Sequence, residues 1–168
     1  MLINDTSTKT KIREIFMKVV LFQPDIPQNT GNIARTCAVT GSSLTLVKPL
    51  GFSISDRYLK RAGLDYWNDV NVDTIDNLES YLEGQNNNFY FFSSKATKLY
   101  TDVTYGSDDI LIFGSETQGL PQHFYEKWPE KFVTIPMVDN SRCLNISNAA
   151  AVAVYEALRQ LTETIISG

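Results

Sequence analysis

Three short stretches gather amides, a carboxylate and guanidinium groups around glycines and prolines. In Asn29-Thr30-Gly31-Asn32-Ile33-Ala34-Arg35, two asparagines flank a glycine and an arginine closes the run. Amides and a guanidinium in that order suit a ribose or a phosphate; a capped helix start with an exposed arginine carries the same letters. In Phe113-Gly114-Ser115-Glu116-Thr117-Gln118-Gly119-Leu120-Pro121, an apolar segment runs into two glycines and a proline. That places Glu116 and Gln118 on a sharply bent loop, longer than a simple β-to-α connection needs. The third stretch runs from Ile135-Pro136-Met137 through Ser141-Arg142-Cys143-Leu144-Asn145-Ile146-Ser147. There Arg142 and Asn145 approach a helix that Ser147 is suited to cap.

Other chemistries lack their residues. The first strand is not followed by GxGxxG, and the chain holds no GxxxxGK[ST], HExxH or GxSxG. Hydride transfer on a dinucleotide fold, nucleoside triphosphate hydrolysis and serine hydrolysis are therefore disfavoured. The single histidine, His123, has no second histidine or nearby cysteine, and reads as a surface residue rather than a ligand. Cys37 and Cys143 lie far apart, and a zinc site needs about four ligands at short spacings, so no metal is expected.

The elements that must carry these loops alternate. Lys18–Gln23 reads as a buried strand, with Pro24-Asp25-Ile26-Pro27 after it as a non-helical segment. Asn29 is placed to cap a helix through Ile33, Cys37 and Ala38 that Gly41 stops. Ser43–Val47 is a second strand, and Ser55 opens a short helix ending at Gly63. Val70–Val72 reads as a brief strand and Ile75–Leu82 as a helix. Phe89–Phe92, Asp109–Phe113 and Phe132–Pro136 are strand-like, and Ser147 to Ile166 is a long Ala-rich helix. Strands alternating with helices predict an α/β fold, a mainly parallel sheet flanked by helices. Its ligand should then bind at the carboxyl ends of the strands.

The 168 residues suit one domain, 17–168, with 1–16 as a loosely attached extension. That extension is charged and has no apolar core, so it is not a secretory signal. No apolar run approaches the ~20 residues that span a bilayer. With few cysteines, a reducing, cytoplasmic setting is expected. The net charge is −4, yet it is unevenly spread. Arg35, Lys48, Arg57, Lys60 and Arg61 face one acid, Asp56, in their stretch, whereas Ala62–Tyr90 holds acids and no Lys or Arg. A basic face on an acidic body suits a phosphate backbone; the same residues also suit the solvated face of a short helix.

Taken together, NTGNIAR, LIFGSETQGLP and IPM…SRCLNISNAAAVAVYEALRQ resemble the three motifs of the SPOUT-superfamily RNA methyltransferases. Through QPDIPQNTGN and KRAGLDYW the resemblance extends to the subfamily that methylates the ribose 2′-hydroxyl of the tRNA wobble nucleotide, cytidine 34 or modified uridine 34. It covers residues 17–161.

The resemblance implies a carboxyl-terminal deep trefoil knot, a homodimer and S-adenosyl-L-methionine as methyl donor, with S-adenosyl-L-homocysteine as product. By position, cofactor contacts fall at Phe92, Gly114, Ile135 and Cys143, with Leu144 beside them. Cys143 stands where the family usually has Ser, which weakens a side-chain hydrogen bond but not a backbone one. Arg35, Asn29, Glu116 and Asn145 are the implied catalytic set, with Arg35 near the cofactor of the other subunit. The family proposal makes that arginine a base, but a guanidinium, which is effectively never deprotonated in proteins, is better suited to hold a phosphate and stabilise charge on the 2′-oxygen. Arg57, Lys60, Arg61, Ser141 and Arg142 would hold the anticodon stem-loop of the tRNA, with Tyr58, Tyr66 and Trp67 as stacking candidates. A ribosomal RNA methyltransferase and a catalytically silent RNA-binding module are the alternatives.

Overall fold

A computed structural model describes residues 17–55, 59 and 64–167. The extension 1–16 and the short helix expected from Ser55 to Gly63 therefore lie outside the described residues, Ser55 and Leu59 excepted.

Six strands form one sheet in the order β3-β2-β1-β5-β4-β6, and every pairing is parallel. They are β1 Lys18–Phe22, β2 Ser43–Val47, β3 Val72–Ile75, β4 Phe89–Phe92, β5 Ile110–Phe113 and β6 Phe132–Val133. Parallel strands covered on both faces must be apolar at consecutive positions, and their side chains alternate between the two cores. The chain does this: Val19, Leu21, Tyr90, Phe92, Leu111 and Phe113 enter one core, while Val20, Phe91, Ile110 and Ile112 enter the other. The first core is closed by helices α1, Pro27–Thr40, and α4, Ile146–Ser167, which meet through Ala34, Cys37, Ala150, Ala153 and Ala157. Small residues let the two backbones approach. The second is closed by the short helices α2, Leu78–Glu83, and α3, Gln122–Lys127, around Leu78, Leu82 and Phe124.

Several boundaries differ from expectation. The first strand stops at Phe22, because Gln23 turns into the left-handed region at φ 47°. Pro27 is not outside α1 but opens it, where a missing N–H costs nothing. Asn29 is consequently inside the first turn, and Ile26 holds the cap position without a side-chain bond. At the other end Gly41, at φ 72°, stops the helix as expected. Ile75 ends β3 rather than starting a helix; Asn77 caps α2, its side chain accepting from Ser80 N at 2.9 Å. The strand expected at 132–136 is limited to two residues. At the start of α4 the capping side chain is Asn145, whose Oδ1 accepts from Ser147 N at 2.8 Å, so Ser147 is not the cap.

Candidate active site

The carboxyl ends of β4, β5 and β6, the start of α1 and the approach to α4 enclose a cavity of about 580 Å³. Three of its walls are the three polar stretches of the sequence. Asn29, Glu116 and Asn145 line it, as do Phe92, Gly114, Ile135, Cys143 and Leu144. Three of the other expected residues are described but do not line it: Arg35, Ser141 and Arg142, all exposed. Arg57, Lys60 and Arg61 lie outside the described residues, and so does Tyr58.

Glu116 organises the polar wall. One carboxylate oxygen accepts from Asp25 N at 2.8 Å; the other accepts from Ile26 N at 3.2 Å and from Asn29 Nδ2 at 3.1 Å. A carboxylate from the β5 loop thus satisfies the amides leading into α1, where the helix dipole favours a negative charge. That replaces the cap that Ile26 does not supply. Asn29 Oδ1 in turn accepts from Asn145 Nδ2 at 3.1 Å, and Asn145 Oδ1 accepts from Ser147 N and, at 2.6 Å, from Ser147 Oγ. The direction of this chain is fixed at both ends. An ionised carboxylate only accepts and a backbone N–H only donates, so both amides have one possible orientation. What remains free is N–H capacity on Asn29 and Asn145. The wall presents donors, with its one carboxylate already engaged by three.

The β5 loop is held by geometry. Ser115 N donates to Gly119 O at 3.1 Å and Gly119 N to Ser115 O at 2.9 Å, with Gly119 at φ 67°. A Cβ on Gly114 would stand 2.4 Å from the Gly119 carbonyl carbon, so the two strands of this loop touch backbone to backbone. Thr117 Oγ1 donates to Asp25 Oδ2 at 2.6 Å and ties the loop to the start of α1. Across the cavity Cys143 Sγ lies 3.6 Å from Ser94 Oγ, and Leu144 N rests on the Met137 thioether at 3.4 Å, a weak acceptor.

Arg35 points away from this wall. Its guanidinium lies 4.8 Å from the centre of the Tyr66 ring, on the outer side of α1. Trp67, one of the stacking candidates, is partly buried and packs against the core. Sequence reasoning missed the turn after β4: Ser93, Ser94 and Lys95 also line the cavity, as does Tyr125. The position of that turn at a strand's carboxyl end was the available signal. His123 is half-exposed beside Glu79, as a surface residue should be. Among the described residues no cluster of histidine, cysteine and carboxylate side chains suits a metal ion, and no helix is long and apolar enough to cross a membrane.

The profile of the SpoU rRNA Methylase family matches residues 17–155. A tRNA (cytidine(34)-2′-O)-methyltransferase from Saccharophagus degradans is 48% identical over 145 residues, 85% of this chain and 94% of that protein. A solved structure described as giving insights into the 2-OH methylation of C/U34 on tRNA is 40% identical, with a TM-score of 0.84, and covers 89% of this chain and 99% of its own. A SpoU methyltransferase from Streptomyces viridochromogenes, solved in complex with the cofactor AdoMet, shares the fold at 23% identity and a TM-score of 0.77, over 89% of this chain and 59% of that one.

Proposed function

Given that this chain belongs to the SpoU methylase family, we propose that it methylates the ribose 2′-hydroxyl of the wobble nucleotide of tRNA, position 34, cytidine or modified uridine, with S-adenosyl-L-methionine as donor. The observation that carries this reading is the Glu116–Asn29–Asn145 chain on the wall of the cavity. It is an array of fixed N–H donors of the kind that orients a ribose and receives charge on its oxygen.

The cavity suits the cofactor. Its volume is in the range of small-molecule sites. Gly114 and Gly119 line it without side chains of their own. The Leu144 amide, resting on a thioether, is available to a better acceptor. Phe92, Gly114, Ile135, Cys143 and Leu144 would hold the group mainly by backbone, so Cys143 in place of Ser is tolerated. When bound, it supplies a methyl already electrophilic on a sulfonium, for which no metal is required.

The chain's own residues then have to activate a poor nucleophile. Glu116 is engaged by three donors and serves to hold the wall in place. The Arg35 guanidinium serves to hold the adjoining phosphate and to stabilise charge on the 2′-oxygen. The proton leaves to that phosphate or to water. Holding the reactants in line is worth several kcal/mol by itself, so a weak base suffices.

Because Arg35 does not line its own cavity, it acts on the site of a second subunit. A homodimer through the outer face of α1 and α4 is supported by Val39, four residues after Arg35, and by Val152 and Tyr155 on α4, large apolar side chains left exposed. A knotted carboxyl-terminal part is supported by the strand order, in which β4 sits between β5 and β6. The basic run from Lys48 to Arg61, with Ser141 and Arg142, would take the anticodon stem-loop.

Methyl transfer from labelled S-adenosyl-L-methionine to total tRNA, followed by nuclease mapping, tests the reading. Label in a 2′-O-methylated nucleotide 34 is expected and identifies the base. Label elsewhere in tRNA overturns the substrate.

Thiol chemistry tests the cofactor site independently. Burial pushes the Cys37 thiol up to about 12, so it stays protonated and inert, whereas Cys143 is exposed on the cavity. The native protein should react rapidly at Cys143 alone, and saturating S-adenosyl-L-homocysteine should slow that reaction sharply. A labelling rate indifferent to the nucleoside would put the cofactor elsewhere.

A further inference from the structure

The turn after β4 is built more firmly than a connecting loop requires. Ser93 N donates to Val133 O at 2.9 Å, Ala96 N to Ser93 O at 3.2 Å and Lys95 N to Ser93 Oγ at 3.1 Å. The same Ser93 hydroxyl lies 2.6 Å from the Tyr125 hydroxyl, and the Tyr125 ring is stacked on Phe132 with 3.9 Å between centres. Every one of these contacts fixes the backbone from which Lys95 projects. Its ammonium lies 5.9 Å from the centre of the Tyr125 ring, and the residue is exposed at the cavity.

The charges on the cavity make this cation conspicuous. Its lining holds one carboxylate, Glu116, and one cationic side chain, Lys95. Glu116 is already engaged by the amides of Asp25, Ile26 and Asn29, and Lys95 has no carboxylate partner among the described residues. A pre-positioned, unneutralised ammonium at the mouth of a ligand cavity is a site for an anion.

We propose that Lys95 holds a backbone phosphate of the RNA substrate at the mouth of the cavity. The inference rests on the RNA-methylating reading above and adds a substrate-binding residue on the chain that carries the cofactor cavity. A nucleotide entering the cavity brings a phosphate with it, and an exposed ammonium on a flexible stem is suited to meet one as a point charge. A cation would repel the sulfonium at the donor's reactive end, so the anions to be weighed are the RNA phosphate and the donor's own carboxylate, and the exposed position of Lys95 at the cavity favours the phosphate. Lys95 and the Arg35 of a second subunit then grip the substrate from two sides of the same opening.

The test uses Lys95→Gln and Lys95→Arg with intact tRNA, measuring steady-state methylation, its salt dependence and the affinity for S-adenosyl-L-homocysteine by calorimetry. For Lys95→Gln, the KM for tRNA should rise roughly tenfold, as for one charge-assisted hydrogen bond. The slope of log affinity against log salt should flatten by about 0.7, the value for one phosphate of a single strand. Affinity for the nucleoside and kcat should hold, and Lys95→Arg should restore most of the KM. A loss of nucleoside affinity with an unchanged salt slope would assign the cation to the cofactor's carboxylate and overturn the proposal. No change in any quantity would make Lys95 an ordinary surface lysine. Failure of the wild-type protein to label nucleotide 34 overturns the underlying reading instead, and is seen before any variant is compared.

Discussion

Arg35→Ala is expected to lower kcat by about 10²-fold or more, the cost of removing one pre-positioned charge-stabilising group, while leaving the affinity for S-adenosyl-L-homocysteine unchanged. The second half of that expectation follows from the role assigned to Arg35, which holds the RNA phosphate and the 2′-oxygen at the second subunit's site rather than the nucleoside, and which does not line the cavity of its own chain. Arg35→Lys separates two roles. If the planar fork matters, lysine fails to rescue; if only a charge is needed, it restores most of the rate. The decisive form of the experiment mixes subunits. Glu116→Gln places an amide N–H against one of the N–H donors that the carboxylate now accepts, and should inactivate the cavity of its own chain. Neither variant alone is active. In a mixed dimer, the intact cavity of the Arg35→Ala subunit receives the intact arginine of the other, so random mixing restores about a quarter of the wild-type sites. If Arg35 serves its own chain, every site in the mixture lacks one part and mixing restores nothing.

Much of the scaffold was legible because its signals are local. KVVLF and ILIF are runs apolar at nearly every position, which a sheet covered on both faces demands, and Gly41 stops α1 where expected. The errors arose where two local readings share one pattern. Ile75, Leu78 and Leu82 suit one helical face, but Ile75 pairs with Val47 in the sheet and Asn77 supplies the cap that starts the helix later. Asn29, Asn145 and Ser147 are all capping residues by type. Between Asn145 and Ser147 a local bond decides, but at α1 the cap comes from a long-range partner, and Glu116 reaches Asp25 across 91 positions. No periodicity records such a contact. For the same reason Glu116 was identifiable as a functional residue while its work, closing the start of α1, was not. Lys95 was overlooked because its turn is made by serine hydroxyls rather than marked by glycine or proline. Arg35 was identified by type, and its direction, outward onto Tyr66, required the fold.

The bend of the β5 loop yields a prediction of comparable size, and two glycines allow its cause to be isolated. Gly114→Ala puts a Cβ 2.4 Å from the Gly119 carbonyl carbon and 2.7 Å from its oxygen. Both are backbone atoms held by the paired Ser115–Gly119 hydrogen bonds, so no side chain can swing aside. The loop must open, and forced overpacking of this kind costs about 1–3 kcal/mol of stability. Opening also displaces Ser115 and Glu116 from the cavity wall, so affinity for S-adenosyl-L-homocysteine should fall on the order of 10²-fold, the equivalent of a further ~2.7 kcal/mol. Gly119→Ala is the control with the opposite character. Its Cβ would meet nothing within 4 Å, but Gly119 sits at φ 67°, where an L-residue costs roughly 1–2 kcal/mol. It should therefore lower the melting temperature without a matching loss of nucleoside affinity. Calorimetric titration and thermal unfolding of both variants separate the two effects. Wild-type affinity in Gly114→Ala would mean that the close approach of the two glycines is dispensable, and that the cofactor is held by another part of the cavity than this loop.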